Sequence, residues 1–158
     1  MDVREETRPV FYVLGQLGRG SAGEGPAWIP PLWQRANERF GEIAPLALHG
    51  QDGNLAGLWG AMSDVEGHFH PWGQEGLYLA GCEVAAGTVP PTGWTLWRIP
   101  AQRYLVVGCT QQTYGEVFRA LLSDALPARG HQLAGAVHER YHDAGDGGLE
   151  LYFPIERY

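Results

Sequence analysis

The chain contains no lysine, only two cysteines and three serines, and no apolar run of the roughly 18–20 residues that a membrane span needs. Each scarcity excludes something. Without lysine the cations are eleven scattered arginines, set in a net charge of −7. A duplex binder needs several clustered cations to displace phosphate counterions, so direct nucleic-acid binding is not expected. Cys82 and Cys109 are far apart and form no C-x-x-C pair. Neither a disulfide framework nor a structural zinc site follows, and a reducing cytoplasm is the expected location. Ser21, Ser63 and Ser123 sit in no nucleophile-like setting, and neither a G-x-S-x-G elbow, a P-loop nor a dinucleotide fingerprint occurs. No cofactor is therefore expected. The opening Met1-Asp2-Val3-Arg4-Glu5-Glu6 is too acidic for a secretory signal, and no membrane partner is expected.

What is present reads as one globular domain over residues 1–158. Apolar residues make up 44% and charged residues 18%, enough to bury a core. Arg8 to Gly15 predicts a strand, and the Gly/Pro-rich stretch Gly18 to Pro31 a loop. Leu32 to Phe40 has helical spacing, with Pro30-Pro31 suited to its start and Gly41 to its end. Leu55 to Met62 and Gly76 to Val84 predict a strand pair around a Gly/His/Pro-rich loop. Trp94 to Ile99 and Tyr104 to Gly108 predict two more strands. Thr113 to Leu126 predicts the clearest helix, with a Val117, Ala120, Leu121, Ala125 stripe and a Thr113/Glu116 capping box. Leu133 to Tyr141 and Leu149 to Ile155 predict the final strand pair.

An internal repeat organises these elements. Leu55-Ala56-Gly57 matches Leu133-Ala134-Gly135, and Glu75-Gly76-Leu77-Tyr78-Leu79 matches Gly147-Gly148-Leu149-Glu150-Leu151. The fold class read from this order is α+β. Two β-α-β-β repeats, about 7–85 and 93–156, are joined by a connector strand.

Several motifs then stand in a telling order. They are Leu32-Trp33, Gly76 to Val84, the Ile99-Pro100-Ala101-Gln102-Arg103-Tyr104 corner, the helix from Thr113 with its Leu126-Pro127 exit, Glu139-x-Tyr141, and Leu149 to Ile155. Together they resemble the GyrI-like, AraC-type effector-binding family, with its SOUL-like fold, also found as the drug-sensing half of multidrug-responsive regulators. The resemblance implies an antiparallel sheet with pseudo-twofold symmetry, helices on one face and a ligand cleft between the repeats. It implies that Glu139 occupies the position of the buried acid that contacts cationic or polar ligand groups. No helix-turn-helix is read, so a role in transcription regulation is expected to need a separate partner. The His68-Phe69-His70-Pro71-Trp72 loop is not a family feature.

Strand alternation assigns faces, because residues two apart share one. Glu139 and Tyr141 share a face, and the repeat match puts Trp59 on it. The same match turns Leu77, Leu79, Leu149 and Leu151 toward the helices, and Tyr78 and Tyr152 toward the cleft. The expected ligand-binding set is Glu139, Tyr141, Trp59, Tyr78 and Tyr152, with Trp33, Trp94 and Trp97 as further walls. Aromatic faces attract cations, and a desolvated carboxylate favours one. His68 and His70, with Asp64 and Glu66 near, have metal-ligand spacing, but in this loop they are read as polar loop residues and no metal is assigned. The functional reading is a stand-alone small-molecule-binding module that senses, sequesters or acts as a transcription effector, with a regulator or gyrase as possible protein partner. Hydrolysis of reactive natural products, with Glu139 as general base, ranks second. Inhibition of a gyrase-type protein ranks third. A monomer or a weak edge-strand dimer is expected.

Overall fold

A computed structural model describes residues 1–142 and 147–158. The elements are β1 (Val3–Arg8), β2 (Phe11–Ser21), α1 (Gly25–Glu38), β3 (Leu58–Ser63), β4 (Glu75–Val84), β5 (Thr95–Ile99), β6 (Gln102–Thr110), α2 (Tyr114–Ala120), β7 (His138–Tyr141) and β8 (Gly148–Arg157). The eight strands form one antiparallel sheet in the order β1-β6-β8-β7-β3-β4-β2-β5. The order is symmetric about the β7–β3 seam, with β2-α1-β3-β4 answered by β6-α2-β7-β8.

Two connections explain the shape. Pro9-Val10 joins β1 to β2, and Pro100-Ala101 joins β5 to β6, yet each pair lies at opposite ends of the strand order. Two-residue links can do this only if the sheet curls until its ends approach. The inside of the curl is a buried core built from Phe11, Val13, Trp59, Leu79, Ile99, Tyr104, Val106 and Tyr152. The outside carries both helices. Leu32 and Ala36 of α1 pack on Tyr78 and Ala80. Leu121 and Ala125 pack on Leu105, Leu151 and Phe153. No helix among the described residues is long and apolar enough to cross a membrane.

Several local expectations are corrected. β1 went unread because its charges resemble a solvated tail; in the sheet they are neutralised by cross-strand pairs such as Arg4–Glu150, Arg8–Glu83 and Arg103–Glu5. β2 continues to Ser21, and α1 begins at Gly25, where a loop was expected. Gly18 and Gly20 serve close helix packing: a Cβ on Gly20 would lie 2.5 Å from the Trp28 ring. Pro30 and Pro31 lie inside α1 rather than at its start. They remove two amide donors, and the buried contacts of Leu32 and Ala36 hold the helix regardless. The second helix passes from α2 through a π-helical turn (Leu121–Ala125) into a last α-turn (Leu126–Ala128). Its capping box does not form: the Thr113 hydroxyl accepts from the Thr110 amide instead (2.9 Å).

A groove over a buried carboxylate

Glu139 lies in β7, opposite Gly60 of β3 and Leu151 of β8, so its side chain stands on the helix-bearing face at the centre of the sheet. There α1 and α2 are separated by an open groove. Its two lobes, about 770 and 740 Å³, share Ile29, Pro30, Gln111 and Tyr141 as walls. Each lobe falls within the roughly 300–1,000 Å³ of small-molecule sites. Glu139 and Tyr114 line the larger lobe and Trp33 the smaller.

The carboxylate is only 6% exposed and is held by three phenols. Tyr78 Oη donates to Oε1 (2.5 Å), Tyr141 Oη donates to Oε1 (2.9 Å), and Tyr114 Oη donates to Oε2. Trp33 Nε1 in turn donates to Tyr78 Oη (2.8 Å). An indole N–H can only donate, so the Tyr78 hydroxyl accepts from Trp33 and directs its own proton to Glu139. Trp33 also meets Tyr141 edge to face, with ring centroids 5.2 Å apart.

Electrostatics follows from this enclosure. Burial pushes the Glu139 carboxyl above the ordinary glutamate value, and the hydroxyls of Tyr114, Tyr78 and Tyr141 pull it partly back. The three phenols rise well above the ordinary tyrosine value, through burial first and the neighbouring carboxylate second, and stay protonated donors. Among the described residues no ion pair neutralises Glu139. A desolvated anion lacking a cation is costly, so a cation entering the groove gains what hydroxyls alone cannot supply.

The structure brings together Glu139, Tyr141, Tyr78 and Trp33 of the expected set and leaves the others elsewhere. Trp59 and Tyr152 lie on the inner face, packed edge to face at 5.0 Å and fully buried. Leu79 accompanies them, whereas Tyr78 faces α1. The physical reason is register: Gly60, not Trp59, shares the side of Glu139, and Tyr78, not Leu79, shares that of Leu151. Both short repeat matches are thus one residue out of phase, and a one-residue slip reverses every side chain. The expected cleft side is corrected as well, since the groove lies on the helix face. Trp94 packs with Leu14 and Ile43 and donates to Glu42 Oε1 (3.0 Å), while Trp97 meets Phe69 at the inner core. Neither reaches the groove.

Sequence reasoning missed Tyr114, Trp72 and Phe118, all on the wall of the larger lobe. Tyr114 had a readable signal, since it extends the Val117–Leu121 stripe back by one helical step. Trp72 did not, because it comes from an irregular loop and stacks on Trp28 at 5.6 Å.

A curled antiparallel sheet with two helices flanking a groove is the architecture of an effector-binding domain. The chain belongs to the family described as integron-associated effector binding protein, whose model matches residues 6–155. It is similar to the transcriptional regulator BrlR of Pseudomonas aeruginosa, 31% identical over 164 aligned residues that cover 98% of the chain and 56% of BrlR. The chain therefore spans little more than half the length of that relative. Its fold matches SAV2435 bound to tetraphenylphosphonium, with TM-score 0.72, 17% identity, and 99% and 94% of the two chains covered. It also matches an integron cassette protein from the mobile metagenome of Vibrio cholerae, with TM-score 0.62, 14% identity, and 98% and 95% covered.

Proposed function

We propose that the chain binds a hydrophobic, aromatic organic cation in the groove between α1 and α2, with Glu139 as counter-charge. The observation that carries this reading is the buried carboxylate itself, held by Tyr78, Tyr114 and Tyr141 and lacking a cation partner among the described residues. Trp33, Trp72 and Phe118 supply ring faces and apolar area, which suit a flat or multi-ring cation better than a small hydrophilic one. The tetraphenylphosphonium complex of a protein with the same fold supports the ligand class. Likeness to a transcriptional regulator supports a sensing or sequestering role in regulation.

Contact with nucleic acid through this chain is not part of the proposal. Net charge is −7, and Arg4, Arg8, Arg19, Arg39 and Arg103 are engaged with carboxylates. Both oxygens of Glu139 already accept phenolic protons, which supports a fixed counter-charge over a base that must hold a hydrolytic water.

Titration with tetraphenylphosphonium, read by tryptophan fluorescence, tests this. Saturable binding is expected, weakened by about 1–3 kcal/mol (roughly 5- to 150-fold) in Glu139→Gln. Unchanged affinity in that variant removes Glu139 from the ligand role. Absence of saturable binding in the wild type overturns the cation class.

A further inference from the structure

The loop between β3 and β4 carries a cluster of metal-ligating side chains that the groove chemistry does not use. One ligand atom each from Asp64, His68 and His70 lies within 4.8 Å of the other two. We propose that these three residues form a binding site for a first-row transition-metal dication of the Zn2+ class.

The donor set selects that class. Two imidazoles with one carboxylate suit Zn2+, Cu2+, Ni2+ or Co2+, whereas Mg2+ and Ca2+ take mostly oxygen donors. Tetrahedral coordination at bond lengths of about 2.0–2.1 Å puts donors about 3.3–3.4 Å apart. Donors that already lie within 4.8 Å of one another have a short way to close, and the His68 side chain is 60% exposed. Glu66 offers a fourth donor, with its Oε2 3.7 Å from His68 Nδ1.

The backbone beneath is already arranged. Asp64 Oδ1 accepts from the amides of His68 (3.0 Å) and His70 (3.1 Å) and from Ser63 Oγ (3.1 Å), which leaves Oδ2 as the coordinating oxygen. Between the histidines Phe69 takes a left-handed backbone (φ 59°), rare for a bulky side chain. Its ring is seated inward against Trp97 and His138. Arg157 holds the loop from outside, its Nη1 donating to the His68 carbonyl and its Nη2 to the Phe69 carbonyl, each at 2.9 Å. With Phe69 pinned inward, both imidazoles stand outward beside Asp64, their centroids 5.8 Å apart. Pro71 and Trp72, which follow directly, line the ligand groove, so a tryptophan reports on this loop.

The test uses the full chain without a histidine tag. Calorimetric titration with Zn2+, and the visible spectrum on adding Co2+, should give one dication per chain. The pair His68→Ala/His70→Ala should weaken binding at least tenfold, and His68→Gln/His70→Gln should do the same if the alanine pair unfolds. His131→Ala/His142→Ala should leave binding unchanged. Tetraphenylphosphonium affinity in the same variants checks that the fold persists. The proposal is overturned if no saturable binding occurs up to about 1 mM dication, or if one equivalent still binds with wild-type affinity in the His68/His70 variants.

Discussion

Replacing Gly60 by alanine puts a single methyl where the buried carboxylate is held. Gly60 lies in β3 between Ala80 and Glu139, and a Cβ there would lie 1.9 Å from Tyr78 Oη, 2.5 Å from its Cζ and 2.6 Å from Glu139 Oε1. Its backbone is not left-handed, so the collision is the whole effect. Tyr78 cannot swing away, because it is fully buried with its ring edge to face against both Trp28 and Trp33. Overpacking a well-filled site costs about 1–3 kcal/mol. Loss of a hydrogen bond to a charged group costs about 1.5–3 kcal/mol. Together these give about 2.5–6 kcal/mol, or a Tm lower by roughly 5–24 °C for a chain of this size. Urea and thermal unfolding of Gly60→Ala beside Gly41→Ala would measure it, since a Cβ at Gly41 meets nothing within 4 Å. Adding Tyr78→Phe removes the oxygen at 1.9 Å, so the double variant should cost at least about 1 kcal/mol less than the sum of the singles. A Gly60→Ala protein within about 0.5 kcal/mol of wild type, or strict additivity in the cycle, refutes the argument.

Cation affinity should be constant at high pH and fall as pH drops through the Glu139 value, with a midpoint above the ordinary 4.5; Glu139→Gln should flatten that profile. Tyr114→Phe deletes a hydroxyl that holds the carboxyl down, so the midpoint of the same titration should move upward. Stability carries the opposite consequence: the Glu139 contribution is present below about pH 4.5 and is lost as pH rises through its raised folded value, so Glu139→Gln should gain on wild type at neutral pH in unfolding experiments without ligand. His138 is buried in the core, and burial depresses its imidazole to about 3. The unfolded chain binds that proton near pH 6.5 and the folded one does not, so stability should fall by about 1.4 kcal/mol per pH unit below that point. His138→Asn, which keeps an acceptor for the Met62 amide, should remove this slope; an unchanged slope would show that the acid sensitivity lies elsewhere.

Much of the architecture is legible in the chain. The order of apolar runs and the two helix signals predict β-α-β-β twice, and the strand order realises that symmetry. Glu139, Tyr141 and Tyr78 share a face in the sequence reading and share it in the sheet. The reading fails where local similarity stood in for register. Leu55-Ala56-Gly57 precedes β3 by its whole length, and Leu133-Ala134-Gly135 precedes β7 by more. This match lies outside the ladders and cannot fix which residues pair, and the second, at the start of β4 and β8, is too short to set a register.

The sequence by itself determined most of the elements, though not β1, together with the grouping of strands into two repeats and an acid flanked by aromatic residues near the end of the second. Hydrophobic periodicity and turn residues act over a few positions, and those signals are local. Only the tertiary structure decided what surrounds the carboxylate. Curling of the sheet turns Trp59 and Tyr152 into a buried interior, and the register sets Gly60 beside Glu139. The approach of α1 and α2 brings Trp33 and Tyr114 to the same carboxylate site from opposite sides. The hydrogen bonds to the carboxylate alone join residues up to 61 positions apart, as between Tyr78 and Glu139. Contacts of that range depend on how the sheet closes, which no short stretch of sequence encodes.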